Sequence, residues 1–517
     1  MSSNYLSRSH YGYFSTIVCF LFFVLYLIFP VYSSTLDAYS YATQIKEGRD
    51  LFLHHHLLYN LIGWYWVKLA SLLGIGDVLS ALIIMNAVCA FLSLYILDIF
   101  LKQSNVNLIN RIAWLIFVGA SWGVMRFATE NETYLMPIVA SMAASLALNT
   151  YLKTGQVKMV WVAGFLAAFA ALIHQIHFFW WLGLFGGLFY YKRLNRILLY
   201  YFIPALMVPM VYALVMVWEY DISLTINSFF EFILHDYYNY SRVNTEMGWI
   251  NFILTPISFI RTFVQVHGYI PNLLTLSSMY LFGMVVGLTV LIIGFFYALK
   301  SFRFKFRDLF GTVVLTHLFV FTLHLTFAFI SHGNAEFMVM LPFLLAMIFG
   351  PIAVNNRFDI LKIGFGVLIW NLTVGIVPLN KYFKESEFMV SNHIISNIDN
   401  DNPPLYLVVD HWLIIGRVAY STGEHVENII NGMQMDESDL ALDDIIVNAL
   451  IEGREVYTDC LNRPSIYSRR AFVYGLDDSP YEQFLHERVD SISTLYGKYY
   501  LTKLTLPTSF KSGSLSK

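Results

Sequence analysis

Apolar runs of roughly 20 residues recur between residues 11 and 378, separated by short polar breaks. A run of about that length crosses the ~30 Å hydrocarbon core of a bilayer as a single helix. With no water at that depth, the backbone must satisfy its own peptide groups, and uninterrupted apolar runs do so as helices. Composition agrees, since 57% of the residues are hydrophobic and only 13% are charged, about half the charged share of an ordinary soluble domain. The expected fold is therefore an all-α polytopic membrane protein of about 11 spans. They are placed near 11–33, 79–101, 111–127, 133–152, 159–174, 176–191, 197–217, 272–299, 310–330, 336–354 and 359–378. The fifth and sixth form one long run that His174-Gln175-Ile176-His177 splits into two.

The first run is too long for the roughly 7–15-residue core of a signal peptide, and no A-x-A site follows it. It is read as an uncleaved helix. Three widely spaced cysteines, Cys19, Cys89 and Cys460, make neither a disulfide framework nor a thiolate metal site. A net charge of -3 without a basic tract gives no sign of a nucleic-acid partner.

Lys and Arg set the hand of the bundle. With Arg8 on the cytoplasmic side, the inside connections collect Lys102, Lys153, Lys158, Lys192, Arg193, Arg196, Lys300, Arg303, Lys305, Arg307, Arg357 and Lys362. The outside then receives most acids, among them Asp37, Glu47, Asp50, Glu130, Glu132, Asp236 and Glu336. The expectation is a multi-pass protein of the cell (inner) membrane, with a cytoplasmic N-terminus and an extracytoplasmic C-terminal tail. Two outer loops are long, 34–78 and 218–271, and both are rich in Trp, Tyr and Phe. Within the first, Leu57 to Lys68 has the aromatic, interrupted-apolar character of a helix lying in the membrane interface.

Near residue 385 the composition turns polar. Leu405–Asp410 and Arg454–Asp459 read as strands, and Asp436–Glu452 as a helix. The domain expectation is a transmembrane part, 1–384, followed by a small extracytoplasmic α/β domain, 385–517. No internal repeat is evident, which weighs against an inverted-repeat transporter.

Chemistry-bearing residues cluster on the outer side. Asp37 follows the first run. It is either a solvated loop acid or a base that takes a proton at the membrane edge. Arg126-Phe127-Ala128-Thr129-Glu130-Asn131-Glu132-Thr133-Tyr134 brings Glu130 and Glu132 to the same side. Such a pair can hold sugar hydroxyls, share a proton or bind a divalent cation, or it can be an ordinary charged loop neutralised by Arg126. Asn131-Glu132-Thr133 also matches a glycosylation sequon. His54, His55, His56, His174, His177, His267 and His332 complete the face and can contact phosphate or a metal. The cation candidates are Asp37, Glu132, His174 and His177, without the tight spacing of a known motif. Arg242 and Arg261 can meet a lipid phosphate. His317 and His324, seven apart in one apolar run, read as packing or cavity-lining residues.

This arrangement resembles the GT-C superfamily of membrane glycosyltransferases. These include protein O-mannosyltransferases, the lipid A aminoarabinose transferase and oligosaccharyltransferases. The resemblance rests on Asp37-Ala38-Tyr39-Ser40-Tyr41-Ala42 after the first span and on the long first loop. Glu130, Glu132 and Tyr134 in the second loop, Ser331-His332-Gly333-Asn334-Ala335-Glu336-Phe337 before Pro342, and the outer C-terminal domain complete it. It covers about residues 10–380. Asp37-Ala38 stands where the family often has Asp-Glu, and His54-His55-His56 stand roughly where some members place a lysine.

The resemblance implies inverting transfer of a sugar from a polyprenyl-phosphate-linked donor to a glycan, lipid or protein acceptor at the outer face. Asp37 would be the general base and Glu132 or Glu130 would orient acceptor or sugar. His54, His55, His56, His332, Arg261 and Tyr41 would serve the donor phosphate and sugar. A divalent metal ion is a possible cofactor. The rival readings are a transporter or flippase, a polymerase or ligase of lipid-linked glycans, and an assembly protein acting through 385–517.

Overall fold

The computed structural model describes residues 13–32, 34–192, 195–235, 248–301, 306–352, 360–384, 388–424, 426–433, 442–461 and 479–507. Contacts within the chain divide it into two units. The first holds Met1–Val31, Gln44–Val266 and Met279–Val377, and the second holds Tyr32–Thr43, His267–Ser278 and Pro378–Lys517.

The first unit is helical. Among the described residues, seven helices are long and apolar enough to cross a membrane: Val78–Gln103, Leu135–Thr154, Arg196–Trp218, Ser278–Ser301, Thr312–Ile330, Ala335–Ile352 and Leu361–Tyr382. Tyr13–Ile28 and Lys158–Ile173 are apolar but shorter. Each expected run maps onto one or more helices, and the count of eleven spans is finer than helix length and composition establish. The run 111–127 is not straight: Leu108–Ala120 and Trp122–Ala128 meet at 65°. Ser121 forms the break with an extended backbone (ψ 136), and a break at membrane depth must find partners for the peptide groups it frees. Asn371 supplies one, donating from Nδ2 to Ala120 O at 2.7 Å, and it also donates to Phe263 O at 2.8 Å at the end of the helix Trp249–Phe263. Its Oδ1 accepts from Gln265 N at 2.8 Å. The split at His174–His177 is a single 3-10 turn, Gln175–His177, between two helices.

Polar groups tie the apolar helices together. Arg111 and Asp98, both nearly buried, pair at 3.1 Å, and Ser15 donates to the other carboxylate oxygen at 2.8 Å. Three helices, Tyr13–Ile28, Val78–Gln103 and Leu108–Ala120, meet at this point. Charges at such depth persist only when paired. The segment after His56 forms the helix Tyr59–Leu72, much as its interfacial pattern predicts.

The second unit contains a five-stranded sheet. Its strands are β1 (Leu405–Val408), β2 (Ile429–Asn431), β3 (Val456–Thr458), β4 (Leu485–Thr494) and β5 (Gly497–Thr505), in the order β2-β1-β3-β5-β4. β1 runs parallel to β2 and β3, with Tyr406 opposite Ile429 and Tyr457. β5 is antiparallel to β3 and β4. Strand alternation sends Leu405, Leu407 and Val409 to one face, against Ile446 and Val447 of the helix Leu442–Ile451. It sends Tyr406 and Val408 to the other, against Ile414, Val418, Val390 and Ile394. The expected strands at 405–410 and 454–459 are β1 and β3, and the start of the expected helix at 436 lies outside the described residues.

Candidate functional site

The acid-bearing loop is built from the bend upward. Trp122–Ala128 turns the chain, and Thr129 to Tyr134 then cross to the start of Leu135–Thr154. Every residue of that loop is buried, with Glu130 0% and Glu132 3% exposed. Of the readings open from the sequence, an ordinary solvated charged loop does not fit this burial, while the pairing with Arg126 does. Burial changes its chemistry, because a buried backbone carbonyl or carboxylate must have a donor. Asn86, in the middle of the apolar helix Val78–Gln103, donates from Nδ2 to Glu130 O and Glu132 O, both at 2.8 Å. Tyr59 donates its hydroxyl to Asn131 Oδ1 at 2.8 Å. Val31 N donates to Thr129 O at 2.9 Å. Asn131 is thus held inside the unit, so the sequon it heads is not a surface site.

Glu130 forms an ion pair with Arg126 at 2.5 Å, one helical turn earlier. Tyr134 donates its hydroxyl to Glu336 at 3.0 Å. Glu336 is half-buried at the start of the turn Ala335–Met338, where Asn334 Oδ1 accepts from Glu336 N. The preceding Gly333 has φ +67, and a Cβ there would lie 2.6 Å from Thr255 N. Only glycine fits, so Ser331-His332-Gly333-Asn334 delivers Glu336 to the loop through a constrained turn. His332 also takes a positive φ of 54 and is half-buried.

The histidines form a file. His55 and His56 rings lie 4.2 Å apart, His56 and His174 4.2 Å, His174 and His177 6.3 Å, and His177 and His324 5.9 Å. Tyr134 meets His174 at 5.3 Å, joining the file to the acid loop. His177 Nδ1 and Ser141 Oγ share a 2.7 Å hydrogen bond. His56, His174, His177 and His324 are all at most 6% exposed. Burial, reinforced by the neighbouring His174 and His55, holds the His56 imidazole well below the usual histidine range. Neutral imidazole is therefore its resting form. His54 turns elsewhere, stacking on His235 at 4.1 Å and packing on Phe232 at 4.4 Å. Its carbonyl accepts from Tyr212 and Gln175, which ties the first outer loop to the turn at 175–177.

The three consecutive histidines thus do not act as one group. His56 is interior, His55 and His54 are half-buried, and only the last two could meet a ligand without rearrangement. His174 and His177 sit with other rings, and among the described residues no group of three or more His, Cys, Asp or Glu side chains is arranged to hold a metal ion. Arg261 is exposed in the last turn of the helix Trp249–Phe263. Arg242 lies outside the described residues. His317 is buried against Phe100, as packing predicts.

Asp37, Tyr41 and His267 belong to the second unit. Asp37 is exposed in the first turn of the helix Leu36–Glu47, while Tyr41 is 7% exposed. His267 Nδ1 and the Tyr496 hydroxyl lie 3.0 Å apart, and His267 stacks on Tyr269. Asn86, Tyr59 and Glu336 were not in the set chosen from sequence. The available signals were an asparagine deep in an apolar run and a tyrosine heading an interfacial helix.

No protein-family model and no curated protein matches this sequence. Solved structures do resemble it in three dimensions. The oligosaccharyltransferase of Archaeoglobus fulgidus, in complex with Zn and sulfate, matches with a TM-score of 0.49 and 12% identity, over 96% of this chain and 74% of that one. ArnT from Cupriavidus metallidurans matches in the apo state with a TM-score of 0.41 and 10% identity, over 96% and 98%. Its complex with undecaprenyl phosphate gives 0.38 and 10%, over 97% and 98%. Both are glycosyltransferases of the GT-C type that the sequence resembles. The likeness is too loose to carry a residue or a substrate from either protein to this one.

Proposed function

We propose that this chain is an integral membrane glycosyltransferase that moves a sugar from a polyprenyl-phosphate-linked donor to an acceptor hydroxyl at the outer face. The N-terminus is cytoplasmic and the C-terminal residues are extracytoplasmic in this reading. The supporting observation is the burial of Glu130-Asn131-Glu132 at the end of a broken apolar helix, in a loop whose carbonyls and Asn131 side chain are held by hydrogen bonds from other helices. Burying acids at such a place costs several kcal/mol unless they are satisfied. Arg126 meets that cost at the Glu130 carboxylate, while Asn86 and Tyr59 satisfy the buried carbonyls and Asn131 of the same loop. Preorganisation of this kind is what a charge-handling site requires.

Asp37 is the general base. The acceptor O–H gives its proton to the Asp37 carboxylate as that oxygen bonds to the anomeric carbon. The bond from that carbon to the phosphate oxygen breaks, its electron pair leaves with the polyprenyl phosphate, and the configuration inverts. Glu132, two residues before Tyr134, orients the sugar or acceptor. His55, His54, His332 and Arg261 are the residues of the first unit proposed for the donor head group. The test is turnover of a polyprenyl-phosphate-linked sugar by protein in lipid nanodiscs. Asp37→Asn should fold normally and lose about 100-fold or more, the lower end of what a positioned base contributes. Near-normal turnover in that variant removes the assignment.

A further inference from the structure

The residues from 378 onward have no part in the transfer as proposed above. Their contacts suggest one. Residues 36–43, which carry Asp37, belong to the same unit as the sheet. A helix of 12 residues is marginal by itself in water, so its position is set by what it packs on. It packs on the helix His411–Thr422, which follows β1. Tyr39, 2% exposed, meets Tyr420 edge-on at 6.1 Å. The Arg417 guanidinium lies 5.4 Å from the Tyr39 ring and 5.2 Å from the Phe388 ring, and Arg417 is 3% exposed. A desolvated cation between two aromatic faces is the stronger form of this contact. Gly416 lies under the same helix: a Cβ there would stand 3.3 Å from Leu36 Cδ1 and 3.5 Å from Tyr39 Cβ, so a larger side chain would press on the seam. Tyr39 faces this seam while Asp37, two residues earlier, is exposed.

We infer that the C-terminal region is the positioning device for the base, with Arg417 the positioning residue that clamps the Asp37 helix through Tyr39. The inference rests on Asp37 being the base. A displacement of about 1 Å at a reacting group costs about 100-fold in rate. The clamp therefore governs turnover without touching substrate.

The test pairs hydrogen exchange with kinetics on the full-length protein in nanodiscs, using a polyprenyl-phosphate-linked sugar. In Arg417→Ala, exchange in 36–43 should rise at least about tenfold while β1 stays protected. Turnover should fall about 100-fold with KM for the donor unchanged. Arg417→Lys keeps a cation between the rings and should recover most of the rate. Gly416→Leu, which wedges the seam without removing the cation, should reproduce the Arg417→Ala phenotype, and it decides the matter if Arg417→Ala unfolds β1. Unchanged exchange in 36–43 in both Arg417→Ala and Gly416→Leu overturns the clamp, as does a lysine variant no better than the alanine one. If Asp37→Asn remains active while Arg417→Ala still frees the helix, the base assignment fails and the docking stands.

Discussion

Arg126→Met tests whether the acid loop is built on a paired charge. Glu130 is wholly buried and Arg126 is 16% exposed, with 2.5 Å between them. Removing the arginine leaves a buried carboxylate without its cation, a change that costs about 3–5 kcal/mol. Glu130→Gln removes the other partner. It should cost less, about 1–3 kcal/mol, because the longer arginine can turn its head towards water while the loop loses one charge-assisted hydrogen bond. The double variant leaves neither charge stranded and should return to within about 1 kcal/mol of wild type, as exchanged buried pairs often do. The cycle therefore predicts a coupling of about 3 kcal/mol or more. The three cysteines, Cys19, Cys89 and Cys460, are buried and not in disulfides. A thiol-reactive fluorophore thus reports unfolding in detergent against denaturant without introduced cysteines. Arg126→Met within about 0.5 kcal/mol of wild type, or a double variant as unstable as the single, would refute the reasoning.

Asn371→Ala removes the side chain that serves one carbonyl at the bend and a carbonyl and an amide at the end of the helix Trp249–Phe263. A loss of about 2–5 kcal/mol follows from the buried groups left unmet, read as a shift in the same unfolding midpoint. Its turnover should fall too, since Trp122–Ala128 carries the acid loop. For His56, the folded state holds the imidazole below its unfolded value of 6.5. The unfolded chain therefore binds the extra proton as pH drops, and stability should fall below about pH 6.5 by up to about 1.4 kcal/mol per pH unit. The loss levels off only below the folded value. His56→Gln should shallow that slope, and a pH 5–8 series of unfolding midpoints that is superimposable on wild type would contradict it.

The apolar runs were legible because hydropathy is a local property, and helices lie where the runs do. The helix after His56 and the turn at 174–177 were legible for the same reason. The bend at Ser121 was not. A single small polar residue in an apolar run marks it weakly, and its partner Asn371 lies far down the chain. Sequence placed Glu130 and Glu132 at one membrane face but could not reveal that both are buried, because burial depends on Asn86 and Tyr59 from other helices. The histidine triplet misled for a related reason. Three adjacent residues in an irregular segment point in different directions, so a shared residue type hid the burial of His56 beside the half-buried His54 and His55.

The dependence of the bend on Asn371 orders the molecule in time. Ala120 and Asn371 are 251 residues apart, and at about 5–20 residues per second synthesis takes roughly 10–50 s to cover that distance. Throughout that interval the carbonyl freed at the bend lacks its native donor. The acid loop downstream of it reaches its final setting only when one of the last apolar helices arrives. A chain that stalls or is cut before residue 371 carries Glu130 and Glu132 but not the asparagine that bonds to the bend before them. Membrane quality-control factors that recognise exposed polar backbone would find such a chain at Ser121.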